Sequence, residues 1–182
     1  MREITIHLAE GFEEIEAVTM IDVLRRAGLN VITVSVTGSL KVKGAHHIEI
    51  KADVLFEDID YSKGEMMILP GGMPGSKNLN EHKGVKSQIL DYHKNGKYLA
   101  AICAAPIVFG NLGILKGRMA VCYPGCESQL LGAEICTTPF VVDGKIITGR
   151  GVGAALPFSL EIVRILAGEK TALQLRKSLL VE

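Results

Sequence analysis

Short apolar segments alternate with longer segments whose apolar residues recur at helical spacing along almost the whole chain. Alternation, or a continuous apolar run of about four to eight residues, is typical of a strand, and recurrence every three or four residues is typical of an amphipathic helix. We predict strands at Glu3–Ala9, Asn30–Val36, Met66–Leu69, Tyr98–Ile102, Pro139–Val142 and Lys145–Thr148. We predict helices at Glu13–Ala27, Lys83–Lys94, Ala104–Leu112 and Ala154–Ala167, with Thr171–Leu180 as a final helix or tail.

Turn signals separate these elements. Asp143-Gly144 is a two-residue hairpin signal, and the more polar Val42–Ile50 is compatible with an edge hairpin. Strands that alternate with helices imply a parallel sheet covered on both faces, and such sheets bind ligands beyond the carboxyl ends of their strands. Three loops converge there: Glu10–Glu16, Pro70–Gly75 and the turn at Cys103.

Composition narrows the class of protein. The 182 residues contain no repeat, low-complexity segment or interdomain linker, so we expect a single domain over residues 1–182. Basic and acidic residues number 20 each, which argues against a nucleic-acid partner or an anionic membrane surface. We expect no signal peptide, because Met1–Glu3 leads directly into a strand pattern, and no apolar run approaches a membrane span. A cytoplasmic location with reduced thiols is the expectation.

The most informative stretch is Lys97–Pro106, in which a buried strand ends at Cys103 and small residues follow. A thiol at a sharp strand-to-helix turn faces the amide-rich end of a helix, and this location predicts a lowered thiol pKa. The alternative is a buried structural cysteine, because free cysteine is often found in cores. The other cysteines (122, 126 and 136) are assigned a structural role by default, and their spacing predicts no metal site.

Two further loops carry candidate chemistry. Glu10, Glu13 and Glu14 are interpreted as acidic residues that complement a helix N-terminus. Glu16 lies one turn into the helix on the side of apolar residues, where a carboxyl group turned inward against Cys103 could exchange protons with it. Pro70–Gly75 has paired glycines whose backbone N–H groups could form an oxyanion hole with that of Ala104, although a simple tight turn explains the same residues.

The order of four motifs is specific: E-G-x-E-E-x-E, L-P-G-G-x-x-G, A-I-C-A-x-P and G-R-G-x-G. Over essentially its whole length the chain resembles the ThiJ/PfpI family of the class I glutamine amidotransferase-like superfamily, in the DJ-one-like branch. The resemblance implies a flavodoxin-like three-layer α/β sandwich with a mostly parallel sheet and a cysteine nucleophile elbow. It also implies a homodimer. It assigns the reactive cysteine to Cys103, the partner carboxyl to Glu16, and the oxyanion amides to Gly71 or Gly72 and Ala104.

The chain departs from the family pattern at three positions. Ala104 replaces the histidine that follows the cysteine in many members, so a Cys-His peptidase is not expected. Tyr123 replaces a histidine before Pro124. Its phenol is a possible accessory hydrogen-bond partner but a poor base at neutral pH. His46 aligns with an arginine that relatives contribute from the partner subunit, and it is the second possible accessory residue.

These observations support two hypotheses of different class. The first is an enzyme of the glyoxalase III or deglycase type, in which Cys103 attacks a small electrophilic carbonyl without metal or organic cofactor. The second is a non-enzymatic stress sensor or redox-regulated chaperone, in which peroxide oxidises Cys103 to a sulfinate. The sequence leaves the natural substrate and the choice between the two open.

Overall fold

A seven-stranded sheet forms the centre of the computed structural model, which describes residues 3–181. In chain order the strands of the described residues are β1 Glu3–Leu8, β2 Asn30–Ser35, β3 Lys41–Lys43, β4 Glu49–Lys51, β5 Val54–Leu55, β6 Gly64–Leu69, β7 Tyr98–Ile102, β8 Met119–Ala120, β9 Glu134–Ile135, β10 Phe140–Asp143 and β11 Ile146–Gly149. The order in the central sheet is β10-β11-β7-β6-β1-β2-β5, and every neighbouring pair is parallel except β10 and β11.

Helices cover both faces of this sheet. They are α1 Glu14–Arg26, α2 Gly75–Glu81, α3 Lys83–Lys94, α4 Pro106–Asn111, α5 Ala155–Ala167 and α6 Glu169–Ser178. On one face α1 packs against α5 and α5 against α6, and on the other α2 packs against α3 and α4. The predicted α/β class, with helices on both sides of a mostly parallel sheet, is therefore confirmed.

The alternation of side chains along the strands explains the two layers. Met66 and Ile68 of β6 lie in the hydrophobic cluster beneath α1 and α5, and Met67 and Leu69 lie in the opposite cluster beneath α3 and α4. Successive strand residues point to opposite faces, so a strand that is apolar at every position is buried on both sides.

Several boundaries differ from the sequence prediction. Asp143 pairs with Ile146, so the hairpin turn consists of Gly144 and Lys145 and lies one residue later than predicted. The Asp143 carboxylate accepts hydrogen bonds from Arg118 and from the backbone of Met119, which keeps this residue in the strand. Helix α2 was not predicted because its sequence is polar and has Leu79 as its one fully buried large apolar side chain.

The predicted hairpin at Val42–Ile50 is present as β3 and β4, but it forms a separate two-stranded sheet and not an edge of the central one. Its turn carries His46 and His47, and His47 has a positive φ of 69°. Met1 and Arg2, on which the signal-peptide expectation partly rests, lie outside the described residues. Within residues 3–181, no helix has the length and apolar character needed to cross a bilayer.

Candidate active site

Two loops are bound together at the carboxyl edge of the sheet. The N–H of Glu13 donates to the carbonyl of Gly71 at 2.9 Å, and the N–H of Gly75 donates to the carbonyl of Gly11 at 3.0 Å. The approach is close enough that a Cβ on Gly72 would lie 2.4 Å from the Glu13 nitrogen. These contacts join the loop that begins α1 to the glycine-rich loop that follows β6.

Cys103 lies at the end of β7 in a strained turn. Its φ is +64°, a region that a residue with a side chain rarely occupies. Its N–H donates to the Gly149 carbonyl at 2.9 Å, and its own carbonyl accepts from the Tyr123 N–H at 2.7 Å. Backbone strain persists only where the surrounding structure fixes it, and here a hydrogen bond holds each side of the residue.

Glu16 is fully buried in the first turn of α1, as its position beside apolar residues predicted. Oε2 accepts a hydrogen bond from the Gly71 N–H at 2.8 Å, and the carboxyl group interacts with the thiol of Cys103. Oε1 is buried and, within residues 3–181, has no hydrogen-bond partner of ordinary geometry. A Cβ on Gly71 would lie 2.5 Å from the Cys103 Cβ and 2.6 Å from Glu16 Oε2, so only glycine fits between them.

The electrostatics of this pair favour retention of protons. Burial raises the pKa of Glu16 to about 7, against the opposing effects of the Gly71 N–H and the Cys103 thiol. Burial also raises the pKa of Cys103 to about 12, and the ionised carboxylate of Glu16 adds to this effect. The N–H groups of Gly72 and Ala104 act in the opposite direction because they stabilise a thiolate.

The sequence-based expectation of a lowered thiol pKa is therefore wrong, because burial raises the pKa of Cys103. Helix α4, which follows the thiol, has only six residues, so its dipole is small. Burial of the sulfur and an anionic neighbour outweigh two backbone N–H groups. When the proton lies on Glu16, the effect of this neighbour on the pKa of Cys103 reverses, because a carboxylic acid can donate a hydrogen bond to a thiolate and so stabilise it.

The structure distinguishes among the three amides predicted to form an oxyanion hole. The N–H of Gly71 is occupied by Glu16, whereas the N–H groups of Gly72 and Ala104 face the sulfur of Cys103. An oxyanion formed on a carbon bonded to that sulfur would lie near the same two donors. The oxyanion role of Gly72 and Ala104 stays a prediction, and the geometry gives Gly71 a different task, which is to position Glu16.

A cleft of about 480 Å³ opens above Cys103. Tyr123, which is 54% exposed, and His46 line it, so both predicted accessory residues lie at the candidate site of their own chain. The sequence did not place the remaining lining residues at this site: Glu13 was assigned to a helix N-terminus and Cys126 to a structural role, and Ile15, Met73 and Val152 carry no signal for a cleft.

A carboxylate–histidine cluster borders this cleft. Glu13, Glu14 and His46 each place one potential ligand atom within 4.8 Å of the others. Glu14 Oε1 accepts from the backbone N–H of His46 at 2.7 Å, and Oε2 lies 2.9 Å from His46 Nδ1. The bond to Nδ1 raises the pKa of His46, and the two bonds together organise the hairpin turn, so hydrogen bonding accounts for the cluster without a metal ion.

The family comparison covers most of the chain. The DJ-1/PfpI family matches residues 2–165. The Arabidopsis thaliana protein DJ-1 homolog B is 38% identical over 175 residues, which is 95% of this chain and 40% of the relative. The Caenorhabditis elegans protein named glutathione-independent glyoxalase DJR-1.2 is 34% identical over 164 residues, 89% of this chain and 87% of the relative.

Structural similarity extends over the whole fold. The solved structure described as Toxoplasma gondii DJ-1, oxidized, superposes with a TM-score of 0.94 at 31% identity, covering 99% of this chain and 98% of that one. The chain spans less than half the length of the two Arabidopsis relatives, 40% and 47%, so activities of those longer proteins are not transferred to it.

Proposed function

We propose, on the premise that this chain belongs to the DJ-1/PfpI family, that it converts small α-oxoaldehydes such as methylglyoxal into 2-hydroxy acids without glutathione. The observation that carries the proposal is the contact between the Cys103 thiol and the buried Glu16 carboxyl, beneath an open cleft and beside two backbone N–H groups. One relative bears the name of a glutathione-independent glyoxalase, which supports the same chemistry.

The reaction would begin with addition of the Cys103 sulfur to the aldehyde carbon. The thiol proton passes to the carbonyl oxygen, and the N–H groups of Gly72 and Ala104 stabilise the negative charge that develops there. The product of this step is a hemithioacetal held covalently in the cleft.

Glu16 would then move one proton. Its carboxylate removes the hydrogen from the former aldehyde carbon and returns a proton to the neighbouring carbonyl carbon, while the hydroxyl proton on the former aldehyde oxygen passes to the neighbouring carbonyl oxygen. The adduct thereby becomes the thioester of a 2-hydroxy acid. Addition of one water molecule releases the acid and restores the thiol. A pKa of about 7 suits Glu16 to this work, since the group can accept and return a proton near neutral pH.

The direct test is methylglyoxal consumption with lactate formation in the absence of glutathione. Cys103→Ser should reduce the rate to the uncatalysed background, while Cys136→Ser, which alters a partly exposed thiol that does not line the cleft, should retain it. Equal rates for the wild type and the Cys103 variant would refute the proposal.

The second candidate function is that of a redox sensor. A protonated Glu16 could donate a hydrogen bond to a Cys103 sulfinate, and the burial that raises the pKa of this carboxyl favours that protonated form. A relative described as oxidised is consistent with oxidation of this protein class. With excess peroxide, the sensor hypothesis expects two oxygen atoms to be added at Cys103, with loss of that selectivity in Glu16→Ala.

A further inference from the structure

A second thiol borders the cleft above Cys103. Cys126 is among the lining residues and is partly exposed, and both cysteines are free thiols. Cys122 is only 4% exposed, and Cys136 does not belong to this cleft. The default structural role assigned to Cys126 from sequence takes no account of this position, and dicarbonyl conversion makes no use of it.

Backbone hydrogen bonds place Cys126 over the site. The N–H of Tyr123 donates to the Cys103 carbonyl at 2.7 Å, and the N–H of Cys126 donates to the Tyr123 carbonyl at 3.0 Å. The first bond holds the segment at Tyr123 against the Cys103 elbow, and the second closes a turn that links Cys126 to Tyr123. Residues 123–125 of this turn are exposed, and Gly125 has a φ of +96°. The Cys126 side chain packs in part against the cluster beneath α3 and α4, so a bond to Cys103 requires Cys126 to leave that contact.

We propose that Cys126 is the resolving thiol for an oxidised Cys103, so that a hydroperoxide converts the two residues into a reversible disulfide. In the first step the Cys103 sulfur attacks the terminal peroxide oxygen, the O–O bond breaks, and the alcohol or water leaves with the thiol proton. Cys103 is then a sulfenic acid.

In the second step the Cys126 sulfur attacks the sulfenic sulfur of Cys103. The S–S bond forms, the S–O bond breaks, and the hydroxyl group leaves as water with the Cys126 proton. Two external thiols can reduce the disulfide, so a complete cycle reduces one hydroperoxide and oxidises two thiols. This cycle requires no dicarbonyl chemistry and goes beyond the proposed function.

Cys122 is the competing partner, because Cys126 lies close enough for its charge to raise the pKa of Cys122. Burial distinguishes the two pairings. Peroxide can reach Cys103 through the cleft, whereas Cys122 is almost completely enclosed, so oxidation begins at Cys103. At one equivalent of peroxide the disulfide consumes the sulfenic acid before a sulfinate can form, whereas the sensor hypothesis concerns excess peroxide.

The experiment treats the reduced protein with one equivalent of hydrogen peroxide, blocks free thiols with an alkylating reagent, and records intact mass and a non-reducing peptide map. We expect the wild type to lose two hydrogen atoms, with Cys103 linked to Cys126, and to recover its mass with dithiothreitol. Cys136→Ser should behave in the same way.

Cys126→Ser should form no disulfide and should instead yield a sulfenic acid that dimedone traps and that further peroxide converts to a sulfinate. Replacement of sulfur by oxygen at a partly exposed position is a small change, and circular dichroism checks the fold. No disulfide in the wild type, a bond between Cys122 and Cys126, or an unchanged disulfide yield in Cys126→Ser would each overturn the proposal. None of these outcomes bears on methylglyoxal turnover.

Discussion

Cys103 and Glu16 titrate as a pair. Between a pKa of about 7 for Glu16 and about 12 for Cys103, the two groups hold a single proton, on either the sulfur or the carboxyl oxygen. Both arrangements carry one negative charge, and only the arrangement with the proton on Glu16 presents a thiolate. The chemistry of the site therefore depends on a charge shared by two buried groups.

We predict that the alkylation rate of Cys103 by iodoacetamide rises with pH through about 7, where the pair loses its first proton. In Glu16→Gln the proton must leave the thiol itself, so the rise should move toward alkaline pH by about one unit or more. Methylglyoxal turnover in this variant should fall by about 10²–10⁴-fold, the usual contribution of a general acid–base group. A wild-type profile without an inflexion near neutral pH would contradict the coupled titration.

The inward position of Glu16 could be predicted from its spacing to Met20 and Val23, because helical geometry places these residues on one face. The hydrogen-bond partner of each backbone N–H in the glycine-rich loop could not be predicted from the sequence. Gly71 and Gly72 are neighbours of the same residue type, yet one donates to Glu16 and the other faces sulfur. That difference depends on how two loops from distant parts of the chain meet.

At the scale of elements, the glycine-rich loop after β6 sets the distance between α1 and the Cys103 elbow. A Cβ at Gly71 would collide with both Cys103 and Glu16, so the carboxyl can reach the thiol only because this position is glycine. At Gly75 a Cβ would lie 2.7 Å from the carbonyl oxygen of Gly11, which fixes the approach of the same loop to the start of α1.

We predict that Gly71→Ala destabilises the protein by about 1–3 kcal/mol, as overpacking does, and separates Glu16 from Cys103. Loss of the general base should then lower methylglyoxal turnover by about 10²-fold or more. Gly153→Ala is the matched control, because its added Cβ meets nothing within 4 Å. In Gly71→Ala, both the free energy of unfolding from chemical denaturation and the turnover rate should fall, and in Gly153→Ala neither should change. Unchanged turnover in Gly71→Ala would contradict the spacer role.

Elements with strong local signals were predicted well. The bounds of the strand Tyr98–Ile102 and the helix Lys83–Lys94 are those of β7 and α3, because the first is continuously apolar and the second has a regular buried face. Helix α1 spans Glu14–Arg26 and not Glu13–Ala27, and α6 begins two residues before the predicted Thr171. Helix ends carry unpaired backbone groups whose partners lie elsewhere in the fold, so their positions are weakly encoded locally.

At the scale of the whole molecule, a buried histidine links stability to pH. His7 of β1 is fully buried, and Nε2 lies 2.8 Å from the Tyr61 hydroxyl oxygen. Burial, with a smaller effect from His82, lowers the pKa of His7 from 6.5 to about 3. Between these pH values the unfolded chain binds one more proton at this residue than the folded chain, so His7 makes stability fall as pH falls below 6.5.

The free energy of unfolding of the wild type should fall as the pH is lowered from 6.5 to 4. We predict that in His7→Leu it falls less steeply, by up to about 1.4 kcal/mol per pH unit. Glu16 acts in the opposite sense: its folded pKa of about 7 exceeds the reference 4.5, so its contribution falls as pH rises between them. The comparison is therefore made between His7→Leu and wild type by urea denaturation, with His93→Gln as control. Parallel pH profiles for His7→Leu and wild type would contradict the assignment.

The expected homodimer has a candidate surface on the described residues. Three apolar side chains, Ile15 and Val18 of α1 and Ile48 beside β4, are between 47% and 57% exposed, and Ile15 and Ile48 border the carboxylate–histidine cluster. A face of this kind is typical of an association surface.

We predict that the wild type sediments as a dimer and that Val18→Glu shifts it to monomer, because an unpaired charge would be buried at the interface. Leu173→Glu, at an exposed position of α6, is the control and should remain dimeric. Sedimentation equilibrium measures both variants, and a monomeric wild type would contradict the expectation.

The sequence by itself determined the layered α/β architecture and the strand-to-helix elbow at Cys103, because side-chain periodicity and turn residues act over a few neighbouring positions. Helical spacing also predicted the inward position of Glu16, and the resemblance to a family assigned it as the carboxyl partner of Cys103. Tertiary structure alone decided the raised pKa values, the use of Gly71 to hold Glu16, and the position of Cys126 over the same cleft. These properties arise where loops after different strands meet, and burial and charge there depend on residues far apart in the chain.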